Sequence, residues 1–340
     1  MAAHVSGLAG DSLKCRVADD KHVNLEHCVK ALVTGARGFV GRHLCRALRG
    51  AGHEVFGLGH GAWDAADRAA WGLSDWINAE VSAANLDAAA ARNGRPEAIL
   101  HLAGGSAVGP SFQTPGEDFR RSVAATADLL EWVRLHAPET AVVLASSAAV
   151  YGRGHAGPIA EGAACRPYSP YGFDKRMAEL LMESYAHSFG CRTAIVRLFS
   201  VYGPELRKQL LWDACVRLSS TSGALQLGGT GDELRDWIHV HDAGRVLTAA
   251  LGIASDRCPI VNGGTGIGTC VRDIAHLLCS AWRNDSGTTF SGERRAGDPE
   301  SLVADPSFLS SIGVTEMIDW RAGVTAYAEW FRGARGRYVS

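Results

Sequence analysis

The sequence predicts an α/β protein, a doubly wound parallel sheet with a smaller α/β lobe in its C-terminal part. Three observations predict it. Strand-sized apolar runs alternate with helical patterns from residue 29 to about 200, a glycine-spaced turn follows the first run, and the alternation loosens beyond Val201. Alternating strands and helices imply right-handed crossovers, and hence parallel strands with helices on both faces.

The elements follow in order. "VKALVTG" (29–35) is a short β-rich run ending in glycine, and "FVGRHLCRALRGAG" after it has helical spacing. "HEVFGL" (53–58) and "EAILHLAG" (97–104) read as further buried strands. The amphipathic segment "EDFRRSVAATADLLEWVRLHA" leads to the strand "AVVLASS", and a helix starting near Tyr171 leads to "CRTAIVRLF" (191–199). Residues 1–28 are polar and without periodicity, and read either as a disordered extension or as an overlong start. Residues 29–200 form the sheet domain, and residues 201–340 are mainly the lobe, with some segments returning to the sheet.

Bulk properties exclude several classes. A formal charge of -2 on 340 residues gives no general attraction to nucleic acid or anionic lipid. No apolar run reaches the roughly 18 residues of a membrane span, and the first residues lack the basic start and apolar block of a signal peptide. Nine cysteines without any CxxC pair suggest neither zinc nor a disulfide framework, so buried thiols of a cytoplasmic protein are expected. His239 and His241 with Asp242 could look like metal ligands, but the chain's resemblance to a known family implies strand-end residues there, so no metal site is expected.

"VTGARGFVGRHL" places Gly35, Gly38 and Gly41 between strand and helix. The first glycine permits a sharp turn, the second lets backbone N–H groups approach a pyrophosphate, and the third allows close helix–strand packing. The turn thus predicts a Rossmann-type domain binding a dinucleotide. The second strand would normally end in an acid for the ribose of NAD. Here Gly59 and His60 stand instead, and Arg37 lies in the glycine turn. NAD or NADP is expected, and these residues tilt the choice toward NADP.

Tyr171 and Lys175 in "SPYGFDK" are four apart and project from one helix face. A lysine cation and an oxidised nicotinamide would both favour phenolate, lowering the tyrosine's pKa from about 10 toward neutrality. Such a tyrosine can take a proton from a substrate hydroxyl while hydride leaves the same carbon.

The ordered series of glycine turn, "ILHLAG", "SSAAVYG", Tyr171-x-x-x-Lys175, "VRLFSVYGP" and "LRDWIHVHD" resembles the extended short-chain dehydrogenase/reductase family, specifically its NAD(P)-dependent nucleotide-sugar epimerases, dehydratases and reductases. The resemblance covers roughly residues 29–310. It implies Ser147, Tyr171 and Lys175 as catalytic residues, with Tyr171 and Lys175 also on the cofactor. Phe39, Val40, Glu80, Val81, Leu102 and Ala103 join the glycine turn, Arg37 and His60 as cofactor-binding residues. Ser200, Arg235 and Arg295 are implied on the nucleotide-diphosphate sugar. The family's dehydratases carry Asp and Glu after the catalytic Ser/Thr; here Ala148 and Ala149 can move no proton. Two further departures are Ser122 and Ser200, where the family usually has Asn. The leading expectation is a nucleotide-sugar epimerase at carbon 4. The alternatives are an NADPH-dependent 4-keto-sugar reductase, an atypical dehydratase, and a non-catalytic NAD(P)-sensing scaffold. The family further implies a homodimer through a four-helix bundle built from the segments around 117–136 and 171–188.

Overall fold

The computed structural model describes residues 27–220, 223–293 and 298–338. Most of the expected N-terminal extension, and Arg295, lie outside the described residues. The sheet domain is built from β1 (Lys30–Thr34), α1 (Phe39–Gly50), β2 (Glu54–Gly59), α2 (Ala65–Ala70), β3 (Asp75–Asn78), α3 (Ala83–Asn93) and β4 (Ala98–His101). It continues through α4 (Val108–Gln113), α5 (Pro115–Phe119), one π-helical turn (Arg120–Ala124), α6 (Ala125–His136), β5 (Ala141–Ser147), α7 (Pro170–Phe189) and β6 (Thr193–Leu198). After it come β7 (Ser200–Tyr202), α8 (Gln209–Leu218), β8 (Leu225–Leu227), β9 (Leu234–His239), α9 (Val240–Ile253), β10 (Ile260–Gly263), β11 (Gly268–Cys270) and α10 (Val271–Trp282).

Seven parallel strands form the main sheet in the order β10-β6-β5-β4-β1-β2-β3. The chain moves outward from β1 to β2 and β3, then crosses to β4 on the other side of β1. The crevice at the carboxyl ends of β1 and β4 is therefore the switch point where such sheets bind ligands. Thr34 stands opposite His101 there.

Successive strand residues point to opposite faces, and each face has its own core. Val33, Leu100 and Val143 pack with Leu44, Leu48, Val246 and Leu247 of α1 and α9. Leu32, Ile99 and Val142 pack with Leu129, Trp132 and Met182 of α6 and α7. So α9 and β10, which follow the lobe's first strands, return to the sheet domain. A third core, with Leu211, Cys215, Ile274 and Leu278, holds the lobe. Within the lobe, β9 pairs with β7 and antiparallel with β11. The amphipathic stripes of α6 and α7 are thus largely spent on the protein's own sheet: Leu129, Leu130, Trp132, Val133, Ala178 and Met182 are all buried.

Candidate active site

At the end of β1 the chain turns at Gly35, whose φ of +69° lies in the region that favours glycine. A Cβ on Gly35 would sit 2.9 Å from Ala103 N, so the loops after β1 and β4 meet backbone to backbone. A Cβ on Gly41 would sit 2.8 Å from Ala36 Cα, which shows how closely α1 packs onto the turn. Gly38 is the N-cap of α1 and offers no side-chain cap, so the first N–H groups, from Phe39 and Val40 onward, face the crevice unoccupied by side chains. Thr34 fixes the facing loop: its Oγ1 accepts from Leu102 N and Ala103 N, both at 3.2 Å, and lies 2.7 Å from His101 Nδ1. His101 Nε2 lies 3.1 Å from Thr126 Oγ1. Burial drives the His101 pKa down to about 3, so the ring is neutral and serves as a strut. This glycine cradle at a helix N-terminus, which any Cβ would fill, fits a dinucleotide pyrophosphate.

The strand β2 ends at Gly59 without a carboxylate. A Cβ on Gly61 would run into Arg37 Nη1, so the guanidinium lies against the loop that follows β2. His60 is exposed beside it, and Gly61 N donates to Asn78 Oδ1 at 2.8 Å. Exposed Glu80 and buried Val81 follow β3 on the same edge of the sheet.

Ser147 is the last residue of β5, and a short 3-10 turn, Ala148–Val150, follows it. Ser169 caps α7 by accepting from Gly172 N at 3.1 Å, and Pro170 opens the helix. Tyr171 lies in the first turn of α7, and Ser147 Oγ accepts from Ala149 N at 3.2 Å. Lys175 is buried; its Nζ donates to Ala145 O at 3.0 Å and lies 5.9 Å from the centroid of the Tyr171 ring. The three residues separated in the sequence are therefore brought together at the switch point. Burial pushes the Lys175 pKa down to about 8, against the attraction of Asp118 and Glu179. The spacing argument expects a lowered Tyr171 pKa, and here the protein's own groups do the reverse. Burial raises it, and the Asp118 carboxylate adds to the rise, while the Ser147 hydrogen bond opposes it. Desolvation disfavours phenolate more than the nearby ammonium, engaged with a carbonyl, favours it.

The family model described as NAD dependent epimerase/dehydratase family matches residues 31–261. The chain belongs to this family. A UDP-glucose 4-epimerase from Azospirillum brasilense is 31% identical over 299 residues, 81% of this chain and 83% of its own length. The structure of MoeE5 in complex with UDP-glucuronic acid and NAD matches with a TM-score of 0.78 at 30% identity, covering 90% of this chain and 99% of that one. UDP-glucuronic acid 4-epimerase from Bacillus cereus, in complex with UDP-glucuronic acid and NAD, matches with a TM-score of 0.77 at 26% identity, over 89% and 99% of the two chains.

In this epimerase/dehydratase family member, the described lobe residues expected on the sugar nucleotide have partners within the lobe. Ser200 opens β7, half-buried and paired with Trp237 of β9. Arg235, mostly buried in β9, donates from Nη1 to Leu234 O at 2.8 Å and from Nη2 to Asp298 Oδ1 at 3.0 Å. Its neighbour Asp236 is fully buried and accepts from Thr265 N, Gly266 N and Ala304 N, tying the lobe's loops to β9. His239 ends β9 and caps α9, while Asp242 accepts from Ile318 N at 2.8 Å. No cluster of metal-ligating side chains occurs among the described residues, whose cysteines are all free thiols. No helix among them is long and apolar enough to cross a membrane.

Sequence reasoning missed four polar residues around the crevice. Lys208 Nζ donates to Ser106 O at 3.1 Å and Ser106 Oγ at 2.9 Å, linking the lobe to the loop after β4. Ser122, noted above only as a departure, lies on the π-helical turn and accepts from Gly105 N at 2.9 Å. Asp118 and Asp174 are buried, and Oδ2 of each has no hydrogen-bond partner. Spacing carries no signal for Lys208, Asp118 or Asp174, because each acts across a long-range contact.

Proposed function

We propose that the protein is an NAD(P)-dependent nucleotide-sugar epimerase acting at carbon 4 through a transient keto-sugar. The observation that carries this reading is the meeting of Ser147, Tyr171 and Lys175 at the switch point, with Ala148 and Ala149 beside them. The family and the sugar-nucleotide complexes of its relatives support the substrate class. The glycine turn, Leu102, Ala103 and Lys175 would hold the dinucleotide, whose nicotinamide supplies a reversible hydride acceptor.

The chain's own part is proton handling. Tyr171 removes the proton from the 4-hydroxyl and returns it to the same oxygen once the keto-sugar has turned to present the opposite face of carbon 4. Ser147, at the end of β5, holds the reacting oxygen in line alongside Tyr171. Lys175 contributes a buried positive charge near the phenol. Ala148 and Ala149 offer no group to protonate a leaving hydroxyl, so elimination is not catalysed there. Arg235, with Ser200 and Arg295, is assigned to the diphosphate; engaging it requires Arg235 to exchange its bond to Asp298 for the ligand.

A second reading is the NADPH-dependent reductase of a 4-keto nucleotide sugar. It is favoured by Gly59 in place of an acid and by Arg37 lying against Gly61. Incubation with UDP-hexoses, and separately with a 4-keto nucleotide sugar plus NADPH, followed by chromatography and mass spectrometry, separates the readings. A chromatographically distinct isomer of unchanged mass from the UDP-hexose supports the epimerase, a gain of two hydrogens on the keto-sugar the reductase, and loss of water from the UDP-hexose defeats both.

A homodimer is part of this proposal. Phe112, Phe119, Phe173 and Leu180 are exposed on α4, α5 and α7, an apolar face a second copy would cover. Sedimentation as a monomer of 36.0 kDa at micromolar concentration would remove it.

A further inference from the structure

We propose that Arg42 and Glu205 form a bridge through which the lobe holds the dinucleotide turn in its binding shape. Both would be positioning residues for the cofactor, acting through the backbone of the turn. The inference rests on the glycine turn as the pyrophosphate site, and it adds a lobe residue to what sets cofactor affinity.

Arg42 lies at the end of the first turn of α1, where side chains lean back toward the helix N-terminus. Its Nη2 donates to Arg37 O at 2.9 Å, inside the glycine turn. Its Nη1 donates to Glu205 Oε2 at 3.3 Å, on the segment between β7 and α8. One planar guanidinium thus holds the turn with one nitrogen and the lobe with the other. The pair is largely enclosed, with 19% and 15% of the two side chains exposed. The Trp71 ring centroid lies 5.3 Å from Arg42 Cζ, and Arg42 Nε is buried without a hydrogen-bond partner. Among the described residues, Glu205 is the only carboxylate paired with Arg42.

The lobe side of the bridge is strained and anchored. Glu205 has a φ of +73°, a left-handed conformation that residues other than glycine and asparagine rarely take. Such a conformation persists only where the surroundings over-determine it. Here the neighbouring residues do so. Pro204 O lies 2.9 Å from His43 Nε2, which carries the proton because a carbonyl only accepts. Leu206 is buried, and its N–H closes a turn onto Gly203 O at 3.2 Å. Its carbonyl accepts at 2.6 Å from Tyr327, on the C-terminal helix Trp320–Tyr338. Arg207 also pairs with Glu205. Residues 204–206 are therefore fixed to the lobe's core on one side and to α1 on the other. Glycine would suit this backbone better but could not supply the charge. Without Glu205 the guanidinium loses the partner that orients it, and its hold on Arg37 O loosens.

The test compares full-length wild type with Glu205→Gly, Glu205→Gln, Arg42→Met and the Arg42→Met/Glu205→Gly double variant. Glycine removes the carboxylate while relieving the positive φ, and glutamine keeps the length and an acceptor. Fluorescence titration with NAD and with NADP, under conditions where each protein is fully folded, should show about ten-fold weaker binding in Glu205→Gly. Glu205→Gln should fall between it and wild type. A merely structural role would lower the urea midpoint and leave the affinity of the folded protein unchanged. The double variant should bind no more weakly than Arg42→Met, because the two residues act as one unit. Hydrogen exchange at the amides of residues 35–42 should speed up in Glu205→Gly, although Glu205 is 163 residues from Arg42 in the chain. If Arg42→Met fails to fold, the Glu205 variants carry both readouts alone. Wild-type affinity in Glu205→Gly, or single losses that multiply in the double variant, overturns the proposal. Exchange needs no ligand, so the two readings can fail separately. Absent dinucleotide binding by wild type sinks the cofactor reading, and unchanged exchange in Glu205→Gly overturns the bridge.

Discussion

Replacing Gly41 by alanine tests the architecture of the dinucleotide turn against a control on the same helix. The new Cβ would lie 2.8 Å from Ala36 Cα and 2.9 Å from Ala36 O, and closer still to Gly35 O. An unstrained carbon contact needs roughly 3.5 Å or more, so the start of α1 must move outward. Overpacking of this kind costs about 1–3 kcal/mol, offset by about 0.5–1 kcal/mol from the better helix propensity of alanine. The net expectation is a loss of about 1–2 kcal/mol of stability. Gly35 O also accepts from Gly38 N at 2.9 Å, so the displacement distorts the turn that aims N–H groups at the pyrophosphate. Dinucleotide affinity should fall about ten-fold or more, since a single charge-assisted bond is worth about 1.5–3 kcal/mol. Gly50, at the other end of α1, has nothing within 4 Å of its Cβ position. There the same substitution should be neutral or stabilise by up to about 1 kcal/mol, with affinity unchanged. Urea denaturation and fluorescence titration of the dinucleotide measure both quantities. If Gly41→Ala proves as stable and as tight-binding as Gly50→Ala, the close-packing argument is wrong.

Three other outcomes are expected. Tyr171→Phe should abolish turnover while leaving unfolding and dinucleotide affinity nearly intact; retained activity would exclude the phenol as base. Arg37→Ala should weaken NADP about ten-fold or more and leave NAD nearly unchanged; equal effects, or a wild-type preference for NAD, would defeat the NADP reading. Lys175 titrates at about 8 in the folded protein and near 10.4 when unfolded. Between those values the unfolded chain binds more protons, so the lysine's contribution to stability rises with pH by on the order of 3 kcal/mol in full. Activity should instead fall through pH 8 as the ammonium is lost. Unfolding and kcat/KM measured from pH 7 to 10, with Lys175→Met as reference, should show these opposite trends; parallel trends would contradict them.

Local chemistry made much of the protein legible in its sequence. The glycine turn could be read because backbone sterics act over a few residues, and Gly35 does adopt the positive φ that the turn requires. The strand 141–147 has the same bounds in the sequence and the structure, because β-branched apolar residues run between clear turn signals. Tyr171 and Lys175 share a helix face by periodicity alone. The short strand β3, four residues between two small helices, escaped because it is too brief to show a period.

What the tertiary structure decided are matters of burial and of contact between distant segments. The spacing of Tyr171 and Lys175 establishes that they are neighbours, but not whether charge or desolvation sets the phenol's pKa. That depended on Asp118, delivered from α5, and on the depth of the pocket. Periodicity likewise marked apolar stripes on α6 and α7 without saying what covers them. Most of those side chains pack on the protein's own sheet, while Phe173 and Leu180 remain outside. The Glu179–Arg197 pair joins a helix to a strand, and only folding encloses both side chains together. Sequence specifies local geometry because steric preferences reach only a few residues. The strength of a charge depends on which distant groups exclude water around it, and folding alone settles that.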